Sequence, residues 1–228
     1  MQLKILFIGN SHTYLHKMPW IIAELADAGS RRCAISVGQC TGNGVGLKDH
    51  WHDRKTRDTI ANKTWDTIVL QDRSGGPLED SGAFKRYAAL FDNDIKHNGA
   101  DTLFYMTWAH RKRPEDQKTI ARLYMEAAHR HHAGLVPVGT AWRQSIREKP
   151  ELNLYHKDGR HAGPAGAYLT ACVFYAVLFN TSPAGLPSQI NIQGKPRVNL
   201  DEKNALYLQQ IAFQTVRGTK DSRKYGDV

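Results

Sequence analysis

Ser11 follows a run of apolar and β-branched residues, Leu3, Ile5, Leu6, Phe7 and Ile8, from which only Gly9-Asn10 separates it. A serine on a tight turn between a strand and a helix has its hydroxyl at the rim of a sheet. Its own N–H then lies at a helix N-terminus, where negative charge is stabilised. That placement suits a nucleophile, although serine is also a favoured helix N-cap and the position admits that plainer reading. Far along the chain, Asp158-Gly159-Arg160-His161 precedes Ala162-Gly163-Pro164. An Asp three residues before a His in a turn can accept the imidazole Nδ1–H, which fixes the tautomer and leaves Nε2 to take a proton from a serine hydroxyl. An Asp and a His in a solvated loop would look the same in isolation. Together with Ser11 they are the parts of a hydrolytic triad working through an acyl-enzyme.

Such residues can meet only if the fold carries both segments to one edge. The stretch 3–8 reads as a strand buried on both faces, and 15–28 as a helix, with Leu15, Met18, Ile21, Ile22 and Leu25 at helical spacing and Gly29 closing it. Further strands are expected at 33–37, 67–71, 102–106 and 135–138, with helices at 81–97, 114–133, 164–179 and 201–216, the last opening at Asp201. Strands alternating with helices predict a parallel sheet covered on both faces, joined by right-handed crossovers. The 228 residues contain no internal repeat or linker and are expected to form one domain. Ligands bind beyond the carboxyl ends of such strands, which directs attention to 9–14, 38–51, 71–77, 107–113 and 139–161.

With order and spacing in view, Ile5-Leu6-Phe7-Ile8-Gly9-Asn10-Ser11-His12-Thr13 resembles the first block of the SGNH/GDSL hydrolases, in which Gly-Asp-Ser places the nucleophile. Asp158-x-x-His161 resembles that family's last block. Gly44, within Gly42-Asn43-Gly44-Val45-Gly46-Leu47, is similar to the second-block glycine, and Gln71-Asp72 to the Gly-x-Asn-Asp block. The resemblance implies a three-layer α/β/α sandwich around a parallel sheet of about five strands, the flavodoxin-like SGNH fold. It implies Ser11, His161 and Asp158 as the triad, an oxyanion hole from the Ser11 and Gly44 N–H groups and the Gln71 side-chain amide, and no metal or organic cofactor. Asn10 stands where the family has Asp, and Gln71 where it has Asn. Gln71 is also readable as a polar strand-end residue, and Gly42 and Gly46 compete with Gly44. The implied activity is hydrolysis of short-acyl esters, including O-acetyl groups of carbohydrates.

His12, His50, Trp51, Trp108, His110 and Arg111 fall on the same rim; His12, Trp108 and His110 are the candidates for substrate contact. His129, His131 and His132 lack the i, i+4 spacing of a helical metal site and read as surface. Three cysteines, Cys33, Cys40 and Cys172, make no disulfide framework, and Cys172 reads as a small core residue. The opening residues have no basic segment followed by an apolar one, so a cytoplasmic location is expected. No apolar run approaches the roughly 20 residues of a membrane helix. The formal charge of +9 is scattered except at 111–113 and 217–224, and no aromatic-interleaved basic strand marks a nucleic-acid surface. Two rival readings remain: a non-catalytic flavodoxin-like module holding an anion or small ligand at the turn after the first strand, and a nucleic-acid-associated protein.

Overall fold

In the computed structural model, which describes residues 2–29 and 33–224 and side chains as far as 219, the run after the first residue forms strand β1 (Gln2–Gly9). A short helix α1 (Ser11–Tyr14) and helix α2 (Met18–Ala28) follow, then β2 (Ala34–Thr41), α3 (Leu47–His52) and α4 (Arg54–Ala61). Next come β3 (Thr67–Leu70), α5 (Gly76–Glu79), α6 (Ser81–His97), β4 (Asp101–Tyr105), α7 (Asp116–Arg130), β5 (Gly134–Val136) and α8 (Val138–Glu148). The last described elements are α9 (Pro164–Phe179), a hairpin of β6 (Gln189–Ile192) and β7 (Lys195–Asn199), and α10 (Glu202–Lys224). Within the basic stretch 217–224, the side chains of 220–224 lie outside the described residues.

Five strands form one parallel sheet in the order β2-β1-β3-β4-β5. Successive side chains of a strand point to opposite faces. Ile5 and Phe7 therefore join Val69, Leu103, Tyr105 and Val136 under α2, α8, α9 and α10. Leu6 and Ile8 join Ile68, Leu70 and Phe104 under α3, α4, α6 and α7. Helix α9 is apolar all round, as a helix enclosed between a sheet and further helices must be. The architecture is the expected three-layer α/β/α sandwich. Strand order reverses between β1 and β3, and the carboxyl ends of those two strands frame the crevice where doubly wound sheets bind ligands.

Three local expectations change. The helix expected over 15–28 is broken: Leu15–Lys17 forms a 3-10 turn with His16 and Lys17 both at positive φ, and the regular helix begins at Met18-Pro19, where proline suits the first turn. Residues 138–148 form α8 instead of the start of a rim loop, because Val138, Ala141, Trp142 and Ser145 recur at helical spacing and are all buried. The β6–β7 hairpin was not anticipated. Its turn residues Gln193 and Gly194 both have positive φ, as a two-residue hairpin turn of this hand requires.

Candidate active site

Asn10, not Ser11, caps α1. Its Oδ1 accepts the His12 N–H at 3.1 Å, and its carbonyl accepts the N–H groups of Thr13 and Tyr14 at 2.8 and 3.1 Å. Ser11 is therefore the first helical residue, where an N–H has no intrahelical acceptor. Its hydroxyl stands at the end of β1, 2.9 Å from His161 Nε2. The His161 Nδ1–H meets Asp158 Oδ2 at 2.6 Å, while Asp158 Oδ1 accepts the backbone N–H groups of Arg160 and His161 at 2.8 and 2.9 Å. Partial burial pushes the Asp158 carboxyl up, but the His161 ring, those two N–H groups and the His161 charge outweigh it and hold the group well below the usual carboxylate range. Asp158 thus stays ionised and orients the ring.

Behind the Ser11 turn is a fully buried brace. The Asn10 N–H donates to Gln71 Oε1 at 2.9 Å, the Thr13 hydroxyl donates to the same oxygen at 2.9 Å, and Gln71 Nε2 donates to the Asp72 carbonyl. Gly9 makes this packing possible, since a Cβ there would lie 2.4 Å from Gln71 Oε1 and 2.6 Å from Thr13 Oγ1. The structure therefore does not bring Gln71 to the cleft. Both ends of its amide are engaged below the Ser11 turn, as a strand-end side chain that turns into the core must be. Asp72 extends the brace, accepting the N–H groups of Leu47 and Arg73 at 3.0 and 2.8 Å, and burial raises its carboxyl. Asn10 Nδ2 reaches the Val45 carbonyl at 2.9 Å, which ties the glycine-rich turn to the Ser11 turn. Of that turn's glycines, Gly44 lines the cleft and has φ +67°, a backbone region that favours glycine. Gly46 instead packs on Asp72, where a Cβ would lie 2.3 Å from Oδ1.

A cleft of about 630 Å3 opens over Ser11 and His161. His12 and His110 line it; Trp108 does not. Trp108 is 2% exposed, stacks on Trp142 at 3.8 Å between ring centroids, and donates its indole N–H to the Arg160 carbonyl at 2.9 Å. It props the loop that carries His161, a role its position after β4 could not disclose. His12 lies 5.2 Å from the His161 ring, and burial, then the His161 charge, lowers it to about 3, so it is neutral at ordinary pH. His50 holds the Gly9 carbonyl at 2.8 Å, and Trp51 packs edge-on against Phe91. Arg111 donates its N–H to the Gly159 carbonyl at 2.9 Å.

Sequence reasoning passed over His16, which bonds the Ala162 carbonyl at 2.9 Å, and Arg160, Lys112 and Arg73, which line the cleft. Arg160 lies inside the Asp-x-x-His motif itself and was the one most open to notice. Among the described residues, no group of three or more His, Cys, Asp or Glu side chains could hold a metal ion, and no helix is long and apolar enough to cross a membrane. His131 is paired with Asp92 at 3.6 Å.

No protein-family model matches the chain, and no curated protein matches it. Solved structures do. A candidate SGNH hydrolase from Slackia heliotrinireducens is 28% identical with a TM-score of 0.66, over 78% of this chain and all of that one. A DUF4886 family protein from Bacteroides uniformis is 18% identical with a TM-score of 0.74, over 95% of each chain. A variant of an acetyl-xylooligosaccharide esterase from Geobacillus is 17% identical with a TM-score of 0.58, over 77% of this chain and 94% of that one. Sheet order, motif order and these likenesses agree that the chain carries the SGNH/GDSL-like hydrolase fold.

Proposed function

We propose that this chain is a serine ester hydrolase acting on short-acyl esters, with Ser11 as nucleophile, His161 as general base and acid, and Asp158 as the group that orients His161. The observation that carries the reading is the continuous relay from Asp158 Oδ2 through His161 to Ser11 Oγ, at 2.6 and 2.9 Å, between segments distant in sequence. In the proposed reaction His161 Nε2 takes the Ser11 proton as Oγ bonds to the ester carbonyl carbon. The negative tetrahedral oxygen is held by the Ser11 and Gly44 N–H groups, each such donor being worth roughly 3 to 4 kcal/mol. As that oxygen's electrons re-form the carbonyl, the bond to the alcohol breaks and His161 hands its proton to the leaving oxygen. Water, deprotonated by the same ring, then releases the acid and restores Ser11. Gln71 takes no part in this account except as the brace beneath Asn10.

Short acyl groups on a sugar or other polar alcohol are favoured by the open, polar-rimmed cleft and by the acetyl-xylooligosaccharide and acetyl xylan esterases among the similar folds. The test is hydrolysis of p-nitrophenyl acetate and of acetylated xylo-oligosaccharides by the wild-type chain, Ser11→Ala and His161→Ala. The proposal expects turnover by wild type and its loss in both variants. Equal rates of turnover in all three would remove the triad, and no turnover by well-folded wild type would favour the anion-binding module.

A further inference from the structure

The rim of the cleft carries a charge imbalance, and its position relative to His161 bears on the substrate. Four cations line the cleft, Arg73, Lys112, Arg113 and Arg160, against two carboxylates, Glu79 and Asp116. Each carboxylate is already taken by an arginine of the same rim: Arg73 meets Glu79 at 2.7 Å and Arg113 meets Asp116 at 3.0 Å. Lys112 and Arg160 remain. Among the described residues neither has a carboxylate within salt-bridge distance, and both are exposed to the cleft.

These two side chains belong to loops that are fastened to each other. The Arg111 N–H donates to the Gly159 carbonyl at 2.9 Å. Gly159 turns the second loop at φ +69°, a backbone region that favours glycine. Trp108 holds the Arg160 carbonyl from below at 2.9 Å. The surplus charge therefore sits on a fixed wall next to His161.

Resting on the esterase reading above, the reaction itself says which half of the substrate meets that wall. The carbonyl oxygen must turn toward the Ser11 and Gly44 N–H groups, while the leaving oxygen must face His161 Nε2 to receive its proton. The alcohol half thus extends along the side of the cleft where Arg160 and Lys112 stand. An ammonium and a guanidinium lacking acidic partners suit a carboxylate or a sulfate, the guanidinium by a paired hydrogen bond. We infer that Arg160 and Lys112 form a subsite for an anionic group on the alcohol half of the ester, so that the preferred substrates are acylated acidic alcohols, such as acidic sugars, and not neutral ones.

Two matched pairs of acetate esters test this: 4-acetoxybenzoate against 4-acetoxybenzamide, and 4-acetoxybenzenesulfonate against 4-acetoxybenzenesulfonamide. At low ionic strength the anionic member of at least one pair is expected to have a kcat/KM about tenfold higher, mainly through KM, since two partly exposed charges act together. The larger ratio identifies carboxylate or sulfate. The preference should shrink with added salt. It should fall to about one in Arg160→Gln/Lys112→Gln and persist in Arg147→Gln/Lys203→Gln, which removes two positive charges from outside the cleft. Both esters of each pair turned over at equal rates would overturn the subsite and leave the esterase reading intact. If neither is turned over, the esterase reading fails, and titration of the protein with 4-hydroxybenzoate and 4-hydroxybenzamide decides the subsite separately. Tighter binding of the anion would sustain it, and equal affinities would overturn it.

Discussion

The two walls of the cleft are built on opposite principles. Around Ser11, Asn10, Thr13, Gln71 and Asp72 are buried and joined by hydrogen bonds that leave no freedom to the turn. On the far wall Lys112 and Arg160 are exposed, and only their backbones are fastened. Buried polar groups must be satisfied or they cost stability, so the first wall is specified atom by atom. Exposed charges cost little wherever they are placed, so the second wall can be altered without loss of the fold. Ser11 stands on the wall whose polar groups are all engaged, while His161 shares the other wall with two exposed cations whose side chains can change while the backbone beneath them is held.

Substitutions can break this contrast at successively smaller scale. The largest effect is expected where the relay itself is cut. His161→Ala should lower kcat for an acetate ester by roughly 10⁴-fold or more, and Asp158→Asn, whose side chain is 41% exposed, by about 10² to 10⁴. Steady-state kinetics on the folded variants checks both. With wild type, kcat/KM should fall on acidification along a limb of one proton, because a protonated Nε2 cannot accept the Ser11 hydrogen. Asp158 does not contribute, since it is held below the ordinary range, and His12 stays neutral down to about 3. A kcat/KM that does not fall on acidification of the folded protein would contradict His161 as the base.

The brace should answer in stability. Gly9→Ala drives a methyl against Gln71 and Thr13 and is expected to cost about 1 to 3 kcal/mol, read from urea unfolding midpoints. Gln71→Leu strands the Asn10 N–H and should cost a similar amount, about 1 to 3 kcal/mol. A kcat loss of about 10² to 10³ with unchanged stability would mean that Gln71 is an oxyanion donor after all. Smaller still, Trp108→Phe removes the indole N–H beneath Arg160 and should lower kcat several-fold, with a loss of about 1 kcal/mol in stability.

The chain's local structure was legible where it depends on neighbouring residues. Apolar spacing marks the helix at 81–97 residue for residue, a nearly unbroken apolar run marks the one at 164–179, and the Gly9-Asn10-Ser11 turn and Asp158-x-x-His161 each lie within a few positions. What escaped depends on the direction a side chain takes once packed. Gln71 is one residue past β3, and whether it faces the cleft or the core follows from the register of β1 against β3. Trp108 likewise reads as a rim residue until Trp142 arrives from α8 to stack on it. The hairpin at 189–199 is short and half-exposed, and with Lys195-Pro196-Arg197 in its second strand its alternation was too brief to separate from a loop, although Gly194 after Ile190 and Ile192 was a turn signal.

The central claim, that Ser11 is a nucleophile activated by His161, is tested most directly by intact-mass analysis after exposure to a fluorophosphonate. The account predicts a single adduct on wild type, mapped to Ser11, absent from Ser11→Ala and strongly slowed in His161→Ala. Well-folded wild-type protein that takes up no label, or an adduct that persists in Ser11→Ala, would contradict it.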